Sequence, residues 1–327
     1  MNPETNDIAA FWEWFVANEA RFYDTLKKDK EQTPEVLNEI LEHVHKYHPN
    51  IYGLMGFYDD DTLEFVFTVD GIVKNIVFVD DLVAAAPMLD RWVFTSLKPQ
   101  YGSFDFSITY YDFEFDKHKL KFFSSINEYY PDEISISLTH SDYRNPEDYP
   151  AILNGALIFL DNCLGELNTA CRIDYFDLVP EDTVDQQDLI PIEKLESYLV
   201  WREKEFLQRY ENSTYTFPKE SFAVLEGEQD DKPVVAVVNQ AWADWPYKPL
   251  FSWLIRVEIK YAGNEEGLPN QDQIQLIQEL EDAVIERQNQ SQICVVGRVT
   301  SDHLSTLFIY SNEYKECSRS VYELLKT

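Results

Sequence analysis

The apolar positions of this chain recur first at helical spacing. Ile8, Phe11, Trp12, Phe15, Phe22 and Leu26 fall on one face of an amphipathic helix. A second helix is expected from Thr33-Pro34-Glu35, where proline suits the first turn, to near His48-Pro49. The pattern then shortens to runs of alternation. Strands are expected at 51–58 and 63–69 around the acidic turn Asp59-Asp60-Asp61, with a returning strand at 72–79 after Asp70-Gly71. Asp80-Asp81 opens a short helix that stops near Pro87, and 92–97, 104–115, 119–126 and 134–138 read as further strands. A helix from Pro150 carries Ile152, Leu153, Leu157, Leu160 and Leu164 and stops at Gly165, with 171–176 as a closing strand.

Residues 181–191 are acidic, proline-bounded and poor in large apolar side chains, which reads as a linker between domains at 1–180 and 192–327. Beyond it, Ile192, Leu195, Leu199, Phe206 and Tyr210 make a helical stripe. Strands at 233–241 and 251–261 flank the aromatic loop Trp242 to Tyr247. A helix follows Leu268-Pro269-Asn270 with Ile274, Ile277, Leu280 and Val284 on its buried face. Strands at 293–300 and 304–310 and a helix at 314–325 complete the chain. The order ββαββα suggests two hairpins in one sheet, a ferredoxin-like plait. The fold class is α+β, two tandem domains of antiparallel sheet covered by helices, because no regular βαβ alternation occurs. A length of 327 residues also favours two cores over one.

Charge changes this picture more than composition does. The formal net charge is −32 and is spread over both halves: residues 1–180 carry 32 acids and 13 bases, 181–327 carry 27 and 14. Nucleic-acid affinity is built on lysine and arginine contacts to phosphate, so this surface argues against nucleic acid, and anionic lipid repels it likewise. A basic protein partner is the ligand class it favours. The N-terminal stretch lacks the basic region and cleavage site of a secretory signal, and no apolar run approaches a membrane span. Four cysteines without CxxC spacing fit reduced thiols in a cytoplasmic protein.

Some short motifs carry a resemblance. Gly267-Leu268-Pro269, Leu280-Glu281-Asp282, Gly297-Arg298-Val299-Thr300 and Phe308-Ile309-Tyr310, with Trp253 ahead of them, resemble the bacterial family catalogued as domain of unknown function 695, over about residues 201–310. The resemblance implies an α+β domain and a bacterial cytoplasmic protein. It brings no chemistry with it.

Candidate chemistry is sparse. Ten glycines form no Walker or dinucleotide loop, and no nucleophile elbow occurs, so no cofactor is expected. His43, His45 and His48 share a helix, but His43 and His45 point roughly 200° apart, a poor metal set. Asp59-Asp60-Asp61 and Asp80-Asp81 lack the spaced ligands and glycine of a calcium loop and read as turn and cap residues. Arg298 reads as a strand residue in an ion pair. Glu19, on the aromatic stripe of the first helix, is the candidate perturbed carboxylate. Trp242, Trp245 and Tyr247 are the candidate interaction surface, set against the alternative that they close the core of the second domain. The reading that emerges is a non-catalytic binding or regulatory protein acting on a basic protein partner. Its alternative is a hydrolase-type enzyme using carboxylates in an inter-domain cleft.

Overall fold

The computed structural model describes residues 3–102, 104–211, 213–219, 221–291 and 293–325. They divide into two compact units, 1–129 with 133–206, and 130–132 with 207–327. Each unit mixes helices with sheets, and the chain is α+β.

The first unit opens with α1 (Pro3–Lys28) and α2 (Thr33–Tyr47), then β1 (Tyr52–Phe57), β2 (Leu63–Thr68), α3 (Ile76–Ala84) and β3 (Trp92–Ser96). The stripe expected on α1 is its buried face: Phe11, Trp12, Phe15 and Phe22 pack edge-on or tilted against one another. Phe67 of β2 and Trp92 and Phe94 of β3 complete the cluster. Rings of this size bury roughly 150–250 Å² each and dominate such a core.

Residues 72–79, expected as a returning strand, begin a helix instead. Val69 N and Gly71 N both donate to the buried carboxylate of Glu166, which redirects the chain after Asp70-Gly71. The apolar run Ile76-Val77-Phe78-Val79 is then buried on every side as α3, so packing overrides the β-propensity of its branched residues.

The unit continues through β4 (Ile108–Tyr110), β5 (Phe113–Phe115), β6 (Leu120–Ser125), β7 (Ser135–His140), α4 (Tyr149–Leu164), α5 (Glu166–Arg172), β8 (Tyr175–Leu178), β9 (Ile190–Pro191) and α6 (Leu195–Gln208). Helix α6 runs across the division between the units. Two sheets share one plan. β1 pairs antiparallel with β2, and β2 pairs parallel with β3 after α3. β6 pairs antiparallel with β7, and β7 pairs parallel with β8 after α4 and α5. The sheets expected as purely antiparallel thus each hold one parallel pair. The segment expected as a linker, 181–191, lies in the first unit: Ile190 and Pro191 pair with Phe122 and Lys121, and Ile192 is buried in the same core. Its acids occupy a single-turn helix and turns ahead of this short edge strand, and Pro191 lies in the strand itself.

His140, fully buried on β7, binds the Glu114 carbonyl through Nε2 at 3.0 Å, and its Nδ1 accepts from Asp142 N at 3.1 Å. Burial pushes its pKa below the ordinary 6.5, against the pull of the Glu114 carbonyl and of Asp142 and Asp116, and with that of Lys119. With the folded value below the unfolded one, the neutral ring's contribution is present above about pH 6.5 and is lost as pH falls toward the folded value. Urea unfolding at pH 7, 6 and 5 is therefore expected to show the stability gap between wild type and His140→Gln narrowing as pH falls. A gap that stays constant would refute the assignment.

The second unit contains β10 (Phe222–Gln229), β11 (Lys232–Asn239), α7 (Gln240–Ala243), β12 (Trp253–Lys260), α8 (Gln271–Ser291), β13 (Ile293–Ser301), β14 (Leu304–Ser311) and α9 (Tyr314–Leu325). Its sheet has five strands in the order β10-β11-β13-β14-β12 with every neighbour antiparallel. The ββαββα order is embedded in it. However, β11 and β12, expected as a hairpin, lie apart, and β11 pairs with the additional strand β10. Helices α8 and α9 cover one face over β12, β14 and β13, where Val257, Val284, Ile293, Val295, Leu307, Ile309 and Cys317 form the core.

Candidate functional site

Most of the residues singled out from the sequence are engaged in holding the fold. Glu19 accepts two bonds from Arg91 Nη2 at 3.2 and 3.3 Å and one from Trp92 Nε1 at 3.0 Å. It ties α1 to the start of β3, and Arg91 in turn stacks over the Tyr23 ring. His43 stacks on Trp14 with ring centres 3.6 Å apart, His45 bonds the Ile51 carbonyl, and His48 stacks on Phe78. Asp59 caps its own turn by accepting from Asp61 N and Thr62 N, and Asp80 accepts from Ser96 Oγ. Among the described residues no group of three or more histidine, cysteine or acidic side chains is placed to hold a metal.

Trp242 and Trp245 are buried and Tyr247 is half-buried, so the expected exposed aromatic surface is not formed by these rings. They pack with Phe251, Cys294, Tyr215, Phe217 and Tyr310 on the sheet face opposite α8. A short helix followed by prolines brings the two indoles within 5.1 Å of each other. The alternative reading, rings that close the core, describes their position.

The motif residues of the last third converge on a different place. Gly267 has φ +80, and a Cβ there would meet Asp302 Cα at 2.8 Å. Its carbonyl accepts from His303 N at 2.8 Å and from Tyr261 Oη at 3.0 Å. This latch holds Leu268 and Pro269 beside the β13–β14 turn. Asn270 then caps α8 reciprocally with Gln273 and fixes where the helix starts.

On β13 the register slips between Val295 and Gly297, leaving Val296 as an extra residue. Without this bulge, strict alternation would turn Arg298 and Thr300 away from α8. With it, Arg298 lies opposite Leu307 and Thr300 opposite Ser305, on the face that the helix covers. Gly297 is required at the bulge, since a Cβ would come within 2.5 Å of the Val237 carbonyl.

Together these devices frame an apolar slot of about 180 Å³ between β11, β13 and the start of α8, lined by Val235, Leu268, Pro269, Ile274, Ile277, Arg298 and Thr300. Its polar groups are partnered. Arg298 Nη1 donates to Glu281 Oε2, with both side chains near nine-tenths buried, and Thr300 shares a hydrogen bond with Ser305 at 3.0 Å. Such a paired charge presents little net field to a ligand, and the slot suits an uncharged apolar group. Two residues back along β11 from Val235, Pro233 borders an open cleft of about 350 Å³ lined also by Glu228, Asp231, Lys232, Glu265 and Glu266. Its single cation, Lys232, is bound by Asp302 at 3.3 Å. Sequence reasoning quoted several of these residues as motifs without placing them together; the signal that could have done so was glycine preceding a charged residue inside a strand.

Residues 221–327 match the family described as "Family of unknown function (DUF695)". No curated protein and no solved structure matches the chain.

Proposed function

We propose that this chain is a non-catalytic binding or regulatory protein that receives a basic protein partner on its C-terminal unit. The observation that carries the reading is the apolar slot continued along β11 by a cleft whose rim is acidic. An apolar anchor side chain of the partner occupies the slot, while neighbouring lysine or arginine side chains meet Glu228, Asp231, Glu265 and Glu266. The cavity is large enough for a ring-sized apolar group, since a dry cavity of roughly 150 Å³ takes benzene. The overall charge of −32 steers such a partner inward and speeds encounter at low salt. Action in the cytoplasm is part of the proposal. It is supported by four cysteines that form no disulfide and by the lack, among the described residues, of a helix able to cross a membrane.

The test is retention of proteins by the immobilised chain across a salt series, compared with the variant Glu228→Lys, Asp231→Lys, Glu265→Lys, Glu266→Lys. The wild type is expected to retain a basic protein that elutes as salt rises. With each exposed pair contributing about 0.2–1 kcal/mol, the loss of four is expected to weaken binding by roughly fourfold or more. Equal retention by both proteins, or retention indifferent to salt, would remove the proposal.

A further inference from the structure

The second unit's sheet has two outer strands that differ in how they face solvent. β12 carries Arg256 and Lys260 among its exposed positions. β10 carries neither lysine, arginine nor proline, runs for eight residues, and pairs with β11 in unbroken register from Phe222–Asn239 to Gln229–Lys232. Among the described residues no strand pairs with its other edge. Its alternate backbone N–H and C=O groups therefore point outward in a regular row, the arrangement that templates another strand unless charge, a bulge or proline blocks it. Neither a bulge nor a proline blocks β10, and its charges are two acids, Glu226 and Glu228.

Side chains reinforce the row. Val224 is 64 % and Leu225 57 % exposed, and successive positions on a strand face opposite sides of the sheet. Val224 lies opposite Val237 on the face that α8 covers farther along, while Leu225 lies opposite Ala236 on the other. Beyond them β10 offers Glu226 and Glu228, and Glu228 also lines the acidic cleft.

We propose that β10 is a docking strand, and that an extended basic segment of the partner adds beside it as a sixth strand of the sheet. The proposal rests on the basic-partner reading and specifies its mode. Charge selects the occupant: a second copy of this chain would bring Glu226 and Glu228 against the same acids and add another net charge of −32. An added segment with two adjacent apolar residues, followed at alternate positions by two basic ones, places apolar groups beside Val224 and Leu225. The same register places its cations beside Glu226 and Glu228. Main-chain bonds supply affinity and the alternating side chains supply selectivity.

The experiment uses the full chain with fluorescein-labelled peptides Thr-Val-Val-Lys-Thr-Lys-Thr and its reversed sequence, read by polarisation. Two N-methylated forms of each peptide cover alternate residues, one set in each register. Strand addition predicts that one set loses binding at least tenfold and the other retains it, because only every second amide faces β10. It also predicts that the exposed-position variant Val224→Lys, Leu225→Lys loses the peptide while keeping its circular dichroism and urea midpoint. Three results would overturn the proposal: equal binding by both N-methylated sets, no binding of either peptide, or sedimentation showing a dimer that this variant abolishes. If the variant still retains a basic protein from the salt-series experiment, the mode fails and the basic-partner reading stands. If neither protein retains one, both fail.

Discussion

Replacing Glu166 by alanine is expected to unfold the N-terminal unit at markedly lower urea than wild type. The side chain is fully buried at the start of α5, where a first-turn acid would ordinarily face water. One carboxylate oxygen accepts from Thr68 Oγ1 at 2.6 Å and Lys98 N at 3.1 Å, the other from Val69 N at 3.1 Å and Gly71 N at 2.9 Å. Three separate segments are joined through it: the end of β2, the turn into α3, and the residues just after β3. Alanine leaves two buried donors, Thr68 Oγ1 and Val69 N, without their acceptor at about 1–3 kcal/mol each, and the part-exposed amides of Gly71 and Lys98 turn to water, so a loss of about 2–6 kcal/mol is expected. That is a large share of the stability of an ordinary domain. Glu166→Gln keeps one acceptor oxygen and turns its amide against two donors, so it is expected to lie between the other two proteins. Urea unfolding followed by circular dichroism gives the order. A Gln variant as stable as wild type would show that the carboxylate's charge and second oxygen contribute nothing.

Trp245→Ala is expected to cost about 3–5 kcal/mol, the range for removing a large buried aromatic. Trp245 contacts Trp242, Phe251 and Phe217 with ring centres 5.1, 5.3 and 5.6 Å apart, and Trp242 stacks in turn on Tyr310. The loss falls on the C-terminal unit's unfolding transition. Val224→Lys with Leu225→Lys is expected to have the opposite profile, with binding lost and stability kept. A Trp245→Ala protein that unfolds at the wild-type midpoint yet binds less would return these rings to the role of an exposed anchor.

The limits of sequence reading here follow from which interactions are local. The stripe of α1, the proline start of α2 and the cap of α8 depend on neighbours within a turn or two, and each was legible. Ile76 to Val79 were not: four apolar, mostly β-branched residues look like a strand until an acid nearly a hundred residues later turns the chain. The parallel pairing of β2 with β3 and of β7 with β8 is equally nonlocal, and with helical crossovers of different length the shared plan leaves no repeat in the sequence. β10 was missed because four of its eight residues are polar or glycine, and its turn uses Asp230 and Asp231 at positive φ where glycine would be the usual marker. Arg298 and Leu268 were visible as motif residues. Their meeting in one slot depends on a single extra residue at Val296, which no alternation pattern reveals.

The reach of Glu166 along the chain also sets an order of events during synthesis. When Lys98 leaves the ribosome, β1, β2, α3 and β3 are complete, yet the amides of Val69, Gly71 and Lys98 still lack their acceptor. Glu166 follows 68 residues later, a delay of roughly 3–14 s at 5–20 residues per second. Through that interval the nascent N-terminal sheet holds an unfinished turn, and the arrival of one carboxylate closes it.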